Sequence, residues 1–300
     1  MKKIAVLTTV ALGMVMGVNA ANIAWVSFHP ADNTPSANAA AAGFTQAPDV
    51  GYTSLLAANG HTVTRFVITE EFNVGVFGWN YALVIISRSV PSSAFQSATE
   101  TAAWNGLATK VLDMGGYTLR DSRLGFASGN NIPDTAGTIT LKPAGLHPIF
   151  AGVPLDGGTG NMFNPFANIV TYVVGTNTVT CRGISVNSDP LEGNPTVLAT
   201  VVTASDPTFG KPMIALWDIG SVVTPSGRTN ILGGYRMSFL SGSREASGVS
   251  SETAGIFDLT ADGAKVFLNT VDYFINVVPE PSSLALLGLG GMALLLRRRV

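Results

Sequence analysis

Charge is scarce in this 300-residue chain, where only 12% of residues are Asp, Glu, Lys or Arg, about half the ~25% usual for globular domains. Disordered chains carry far more charge, so a folded body is expected. A formal net charge of −2 without a basic stripe lacks the electrostatic footprint of a nucleic-acid binder. The single cysteine, Cys181, excludes an intrachain disulfide framework and any multi-thiolate zinc or iron–sulfur site. With three histidines there is little material for a metal centre, and neither metal nor cofactor is expected. No Gly-x-Ser-x-Gly elbow occurs, so an α/β-hydrolase would lack its nucleophile. Gly210-Lys211 is followed by Pro212 and has no upstream glycine spacing, which removes the phosphate-binding loop.

Both ends of the chain read as addresses. Met1-Lys2-Lys3, an apolar run from Ile4 to Val18 and the small-residue site Val18-Asn19-Ala20 have the three parts of a secretory signal peptide. Residues 1–20 are therefore expected to be removed by signal peptidase. At the other end Pro279-Glu280-Pro281 precedes an uncharged stretch, Ser282 to Leu296, and then Arg297-Arg298-Arg299. As a helix that stretch would rise only ~22 Å, against ~30 Å of hydrocarbon. The three arginines can snorkel and hold their end on the cytoplasmic side. On these residues the tail, 278–300, resembles the PEP-CTERM sorting signal. That resemblance implies an exosortase as processing partner, a transient membrane anchor through a short transmembrane helix, and delivery to the cell envelope, the outer surface or the extracellular matrix. Without its two ends the body, residues 21–277, keeps twelve basic and eighteen acidic residues, a net charge of −6, which disfavours anionic lipid and nucleic acid as partners.

Along the body, apolar and β-branched runs alternate with helical stretches. Ile23–Phe28, His61–Ile68, Tyr81–Ser87 and Lys110–Met114 read as strands, with helices over Pro48–Ala57 and Ser93–Leu107 between them. Strand–helix–strand repetition predicts right-handed crossovers and an α/β fold with a doubly wound, mostly parallel, flavodoxin-like sheet. The second half is richer in strands, at Thr138–Lys142, Ile169–Val174, Thr196–Thr203, Pro212–Asp218, Asn230–Gly234 and Met237–Leu240, and a helix closes the chain from Leu259 to Ile275. The polar, glycine-spaced segment Ser241–Glu252 reads as a mobile loop or a lid.

Several landmarks together resemble the class I glutamine amidotransferase-like superfamily and its ThuA-like branch. They are Ile85-Ile86-Ser87 followed by Pro91-Ser92-Ser93, the segment Leu146-His147-Pro148-Ile149-Phe150-Ala151-Gly152-Val153, and Lys211 to Trp217 followed by Arg228 to Gly234. The closing stretch Leu259 to Tyr273 completes the set. The resemblance implies an amidotransferase-like domain, but the nucleophile position after the fourth strand reads Asp113-Met114-Gly115-Gly116-Tyr117, and no histidine follows His147. Glutaminase activity is not expected.

In an open parallel sheet, ligands sit beyond the carboxyl ends of the strands. The candidate ligand-binding residues on that rule are His29, Ser87, Arg88, Tyr117 and Arg120, with Arg244 and Glu245 from the loop at 241–252 and Asp218 from the end of a late strand. Arg120 and Arg123, three apart, would clamp a carboxylate or sulfate, since guanidinium presents a planar donor fork; the alternative is local pairing with Asp121. Two functional readings follow. One is a non-catalytic envelope or matrix protein that binds a surface glycan, such as an exopolysaccharide, or another surface component. The other is a secreted carbohydrate-active hydrolase with a site rebuilt from Asp218, Glu245, Arg120 and Tyr117.

Overall fold

A computed structural model describes residues 20–68, 72–78 and 80–276. The expected signal peptide, but for Ala20, and the C-terminal tail lie outside them. Among the described residues the strands are β1 (Asn22–Ser27), β2 (Thr62–Val67), β3 (Leu83–Ile86), β4 (Val111–Asp113), β5 (Leu141–Pro143), β6 (Thr171–Val174), β7 (Asn177–Arg182), β8 (Thr196–Val201), β9 (Pro212–Trp217), β10 (Val222–Val223), β11 (Asn230–Ile231), β12 (Arg236–Phe239) and β13 (Arg244–Ala246). The α-helices among the described residues are α1 (Ala37–Ala41), α2 (Val50–Ala58), α3 (Ala98–Gly106) and α4 (Ala261–Asn276).

The fold is mixed α/β, built on an eight-stranded sheet of order β2-β1-β3-β4-β12-β9-β8-β5. The first five strands in that order run parallel, and β9, β8 and β5 pair antiparallel. The β8–β9 connection, residues 202–211, is shorter than the dozen or more residues that a crossover needs, so this pair turns back on itself. A mostly parallel sheet therefore describes one side of the molecule, not the whole. Two smaller antiparallel sheets, β10-β11 and β13-β7-β6, lie apart from the main one.

Register places Trp25, Ile85, Leu112 and Met237 on one face and Val84, Val111 and Arg236 on the other. Helix α2 covers the first face, where Tyr52 stacks on Trp25 at 6.0 Å between centroids. Helix α4 joins it there through Phe267, 5.5 Å from Tyr52 and 5.3 Å from Phe239. Its buried residues Val266, Phe267, Thr270, Val271 and Phe274 form one stripe at helical spacing, which is what drives the docking. Helix α3 takes the second face, with Trp104 against Phe77 and Phe95 at 5.7 and 5.2 Å.

Three expectations are corrected. The helix expected over Ser93–Leu107 breaks in two, a 3-10 turn at Ser92–Phe95 and then α3, because Ser97 and Glu100 form a reciprocal capping box that starts a new helix. The strand expected at Asn230–Gly234 is only β11, paired with β10. The expected loop at Ser241–Glu252 contains a strand, β13, whose Ala246 is in register with Cys181 of β7.

Candidate functional site

Parallel strands deliver their following loops to one edge, and the order β2-β1-β3 reverses direction at β1, so a crevice opens there. Phe28 after β1, Arg88 after β3, Tyr117 after β4 and Arg244 with Glu245 after β12 line a single cleft of about 300 Å³. Ser92, Ser93, Arg123 and Ser251 line it as well.

The local backbone explains this convergence. The carboxylate of Asp113, the last residue of β4, accepts hydrogen bonds from the Gly115 N–H at 2.9 Å and the Thr118 hydroxyl, which fixes the tight turn that presents Tyr117. Gly116 is required there, because a Cβ would stand 2.1 Å from the Ser185 carbonyl oxygen. After β12, Asp258 accepts from the Gly242 N–H at 3.1 Å, the Ser243 hydroxyl at 3.1 Å and the Tyr52 hydroxyl at 2.9 Å. That anchors the segment bearing Arg244 and Glu245. Gly242 combines a φ of +83° with a would-be Cβ 3.0 Å from the Arg88 Cβ, so glycine lets the loops after β3 and β12 touch.

Charge is concentrated at this edge. Arg88, Arg120, Arg123, Arg182 and Arg244 are five of the eight arginines between residues 20 and 276. Three of them surround the Tyr117 ring, with Arg88, Arg120 and Arg244 guanidinium carbons 5.1, 5.0 and 5.2 Å from its centroid. Each such contact is worth roughly 0.5–2 kcal/mol and helps hold like charges close. Glu245 compensates part of the charge: Arg182 pairs with its carboxylate, and Arg244 Nε stands 3.4 Å from it. Asp134 receives the other side of Arg244 at 2.9 Å. Burial pulls the Arg244 guanidinium down, but Asp134, then Tyr117 and Glu245, outweigh it and hold it above its ordinary value.

Two parts of the cluster are the least compensated. Arg88 is 7% exposed, its Nε has no hydrogen-bond partner among the described residues, and Glu245 lies 3.8 Å from its Nη2. Burial lowers its pKa. Arg120 donates to the Tyr117 carbonyl at 3.0 Å and the Ser92 hydroxyl at 3.1 Å. Arg123 donates to the Ser122 carbonyl at 2.7 Å and more weakly to Ser92. Burial lowers the pKa of both, and Arg123 lowers Arg120 further. Asp121 instead accepts from the Ser226 N–H at 3.0 Å, so local pairing with Asp121 is not what holds these arginines.

The structure thus brings Arg88, Tyr117, Arg244 and Glu245 into one cleft and sets Arg120 against Ser92 and Tyr117, two residues of its lining. It does not bring the other three candidates there. His29 is fully buried; its Nδ1 accepts from the Ser36 N–H and its Nε2 meets the Ser89 hydroxyl, each at 3.0 Å. This pattern assigns the proton to Nε2, and burial lowers the pKa, so the neutral ring ties two loops together. Ser87 donates to Asp49 at 2.7 Å, in a buried network where Asp49 also accepts from Trp25 and Ser27 and pairs with Arg65. Asp218 is exposed and follows β9, an antiparallel strand that delivers it to the edge opposite Glu245. Asp218 and Glu245 therefore cannot flank one scissile bond, as paired glycosidase carboxylates must.

Sequence reasoning missed Arg182, Ser92, Phe28 and Asp134. Ser92 sits in the quoted Pro-Ser-Ser loop and was within reach of the strand-end rule. Arg182 was not, since it comes from the β6–β7 hairpin. Cys181, next to it, is buried, and burial pushes its thiol up to about 12, so it is inert.

Asp113 lies behind the cleft, and burial pushes its carboxyl up to about 7. Between pH 4 and 7 the folded state keeps a proton that the unfolded chain has lost. Its contribution to stability is therefore most favourable below pH 4 and declines as pH rises towards 7. Relative to Asp113→Asn, wild-type unfolding free energy should fall by about 1.4 kcal/mol per pH unit over that span and level off above it. Urea unfolding of both proteins from pH 4 to 8 measures this, and a constant difference would refute the buried, proton-holding carboxyl.

Among solved structures, one described as the crystal structure of SMU.1228c aligns with 84% of this chain and 99% of its own, at 10% identity and a TM-score of 0.36; that level of likeness carries no argument about fold or function. No curated protein matches the chain. Among the described residues no helix is long and apolar enough to cross a membrane, and the apolar tail lies outside them. That tail is where the informative match falls: residues 277–299 match the PEP-CTERM protein-sorting motif, so the chain is an exported, envelope-directed protein that carries the signal for exosortase sorting.

Proposed function

We propose that the body, from Ala21 to Val277, is a non-catalytic binding domain that holds an acidic surface glycan in the cleft around Tyr117. The observation that carries this reading is the gathering of five arginines at one sheet edge in a body whose net charge is negative. Arginine forks match carboxylate and sulfate oxygens in geometry as well as charge. The two carboxylates beside the cleft, Glu245 and Asp134, are bound to arginines, and the turn after β4 offers glycines where a nucleophile would stand. Both features favour holding a ligand over cleaving it. The sequence landmarks and the parallel order β2-β1-β3-β4 support reading the body as an amidotransferase-like, ThuA-like domain, wound on both faces of its sheet, that has given up glutaminase chemistry. Export towards the envelope supports a surface polymer, rather than a cytoplasmic metabolite, as the ligand.

The test is binding of the full chain to a uronate-rich polysaccharide and to a neutral one. The acidic polymer should bind with a strong salt dependence, and Arg120→Ala should weaken binding by about 1–3 kcal/mol, the scale of a charged hydrogen bond, with the thermal midpoint nearly unchanged. Equal binding of the neutral polymer, or an Arg120→Ala protein that melts early yet binds normally, would place the ligand elsewhere.

A further inference from the structure

The arrangement of the least compensated donors goes beyond a general preference for acid. They form two groups. Arg120 and Arg123 converge on the Ser92 hydroxyl with no carboxylate paired to either among the described residues. Arg88, nine-tenths buried, lines the cleft, and its Nε is buried without a hydrogen-bond partner among the described residues. Its Nη2 stands 3.8 Å from the Glu245 carboxylate, beyond hydrogen-bond reach, so an acceptor in the cleft completes a guanidinium that the protein itself leaves short of partners. Counting Glu245 and Asp134 against the five arginines leaves three positive charges. One monoanion would still leave two of those charges unbalanced.

Tyr117 fixes the spacing. Its ring centroid is about 5 Å from the guanidinium carbons of Arg88 and of Arg120, so those two carbons are at most about 10 Å apart. That separation lies within the reach of one disaccharide. The face of the ring is itself covered by guanidinium groups and cannot stack on a sugar, which leaves the acidic substituents as the recognised features.

We infer that the cleft reads two anionic groups carried on adjacent units of one short glycan segment, one held by Arg120, Arg123 and Ser92 and the other by Arg88. This rests on the acid-binding reading above and specifies it: the ligand class is an oligosaccharide with an acidic group on each of two neighbouring sugars. Uronate and sulfate share the oxyanion chemistry that the arginines recognise.

The experiment is isothermal titration of the full chain with four probes: a diuronate disaccharide, its mono-methyl ester, its dimethyl ester and a disulfated disaccharide. The diuronate or the disulfated probe, or both, should bind at least about tenfold tighter than the monoester; which of them does so identifies the source of the oxyanions. The dimethyl ester should bind least. Arg123→Gln should bring the dianion down to the affinity of the monoester, with little effect on the monoester held by Arg88. Arg88→Gln should show the same loss of preference from the other side; if it does not fold, as judged by circular dichroism, Arg123→Gln decides alone. Equal affinity for monoester and both dianions would overturn the two-anion inference and leave the acid-binding reading intact. Equal affinity for the uncharged dimethyl ester, or no binding by any probe, would overturn both.

Discussion

Replacing Arg236 by Met should destabilise the body by about 3 kcal/mol, read as a fall in the urea midpoint and a drop of roughly 6–12 °C in the thermal midpoint for a chain of this size. Arg236 opens β12 in the centre of the sheet and is 4% exposed. Its Nη1 donates to the carbonyls of Thr109 and Tyr235, and its Nη2 to those of Trp104, Asn105 and Leu107. Those carbonyls include Trp104 and Asn105 in the last turn of α3, where intrahelical donors run short, and a cation there also meets the negative end of the helix dipole. Burial lowers the Arg236 pKa to about 9, so the charge is held at a cost that the five acceptors offset. Methionine fills the volume but leaves the Thr109 and Leu107 carbonyls without a donor among the described residues, at about 1–3 kcal/mol each, partly returned by not burying a charge. Trp104, Asn105 and Tyr235 keep the backbone N–H groups of Leu107, Gly233 and Val111. Arg236→Lys, with fewer donors and no fork, should fall between the two. A loss below 1 kcal/mol for the Met variant would mean that the carbonyls find other partners.

What the sequence reveals and what it hides can be traced to particular residues. Leu83-Val84-Ile85-Ile86 is buried throughout and reads as an interior parallel strand because both of its faces are apolar. The stripe of α4 is equally plain. By contrast β7, Asn-Thr-Val-Thr-Cys-Arg, is exposed or half-buried except at Cys181 and carries no apolar run, and β13 lies among serines and glycines; β13 becomes a strand only through its pairing with β7, some sixty residues away in the chain. Site legibility follows the same division. Arg88, Tyr117 and Arg120 stand just after strands whose direction was correctly inferred, so the strand-end rule finds them. Asp218 also follows a strand, but β9 runs antiparallel, a fact set by the short connection at 202–211, and the same rule sends it to the wrong edge. The break before α3 was readable, since Ser97-x-x-Glu100 is the sequence form of a capping box.

Asp258→Ala should cost about 3 kcal/mol and, unlike Arg236→Met, should also take the cleft apart. The wild-type carboxylate is 3% exposed and is the acceptor for three donors, the Tyr52 hydroxyl, the Gly242 N–H and the Ser243 hydroxyl. Alanine leaves these without a partner in a dry environment, at about 1–3 kcal/mol each before relaxation. The consequence reaches the site through the backbone. Gly242 and Ser243 immediately precede Arg244 and Glu245, and β13 has only the two registered pairs with β7, Arg244↔Arg182 and Ala246↔Cys181, separated by a bulge. A strand that short does not hold its own position, so freeing residues 241–243 should release 244–246 with them. Glu245 would then leave Arg182 and Arg88, and the arginine cluster would lose one of its two carboxylates. Amide hydrogen exchange at 241–246 should accelerate well beyond the change in global stability, and the salt-dependent binding of acidic glycan should weaken in parallel. Asp258→Asn, which keeps one acceptor oxygen, should lose less of each. If Asp258→Ala loses stability while exchange at 241–246 follows only the global unfolding, then Asp258 supports the core through Tyr52 alone, and the cleft is built by β13 without it.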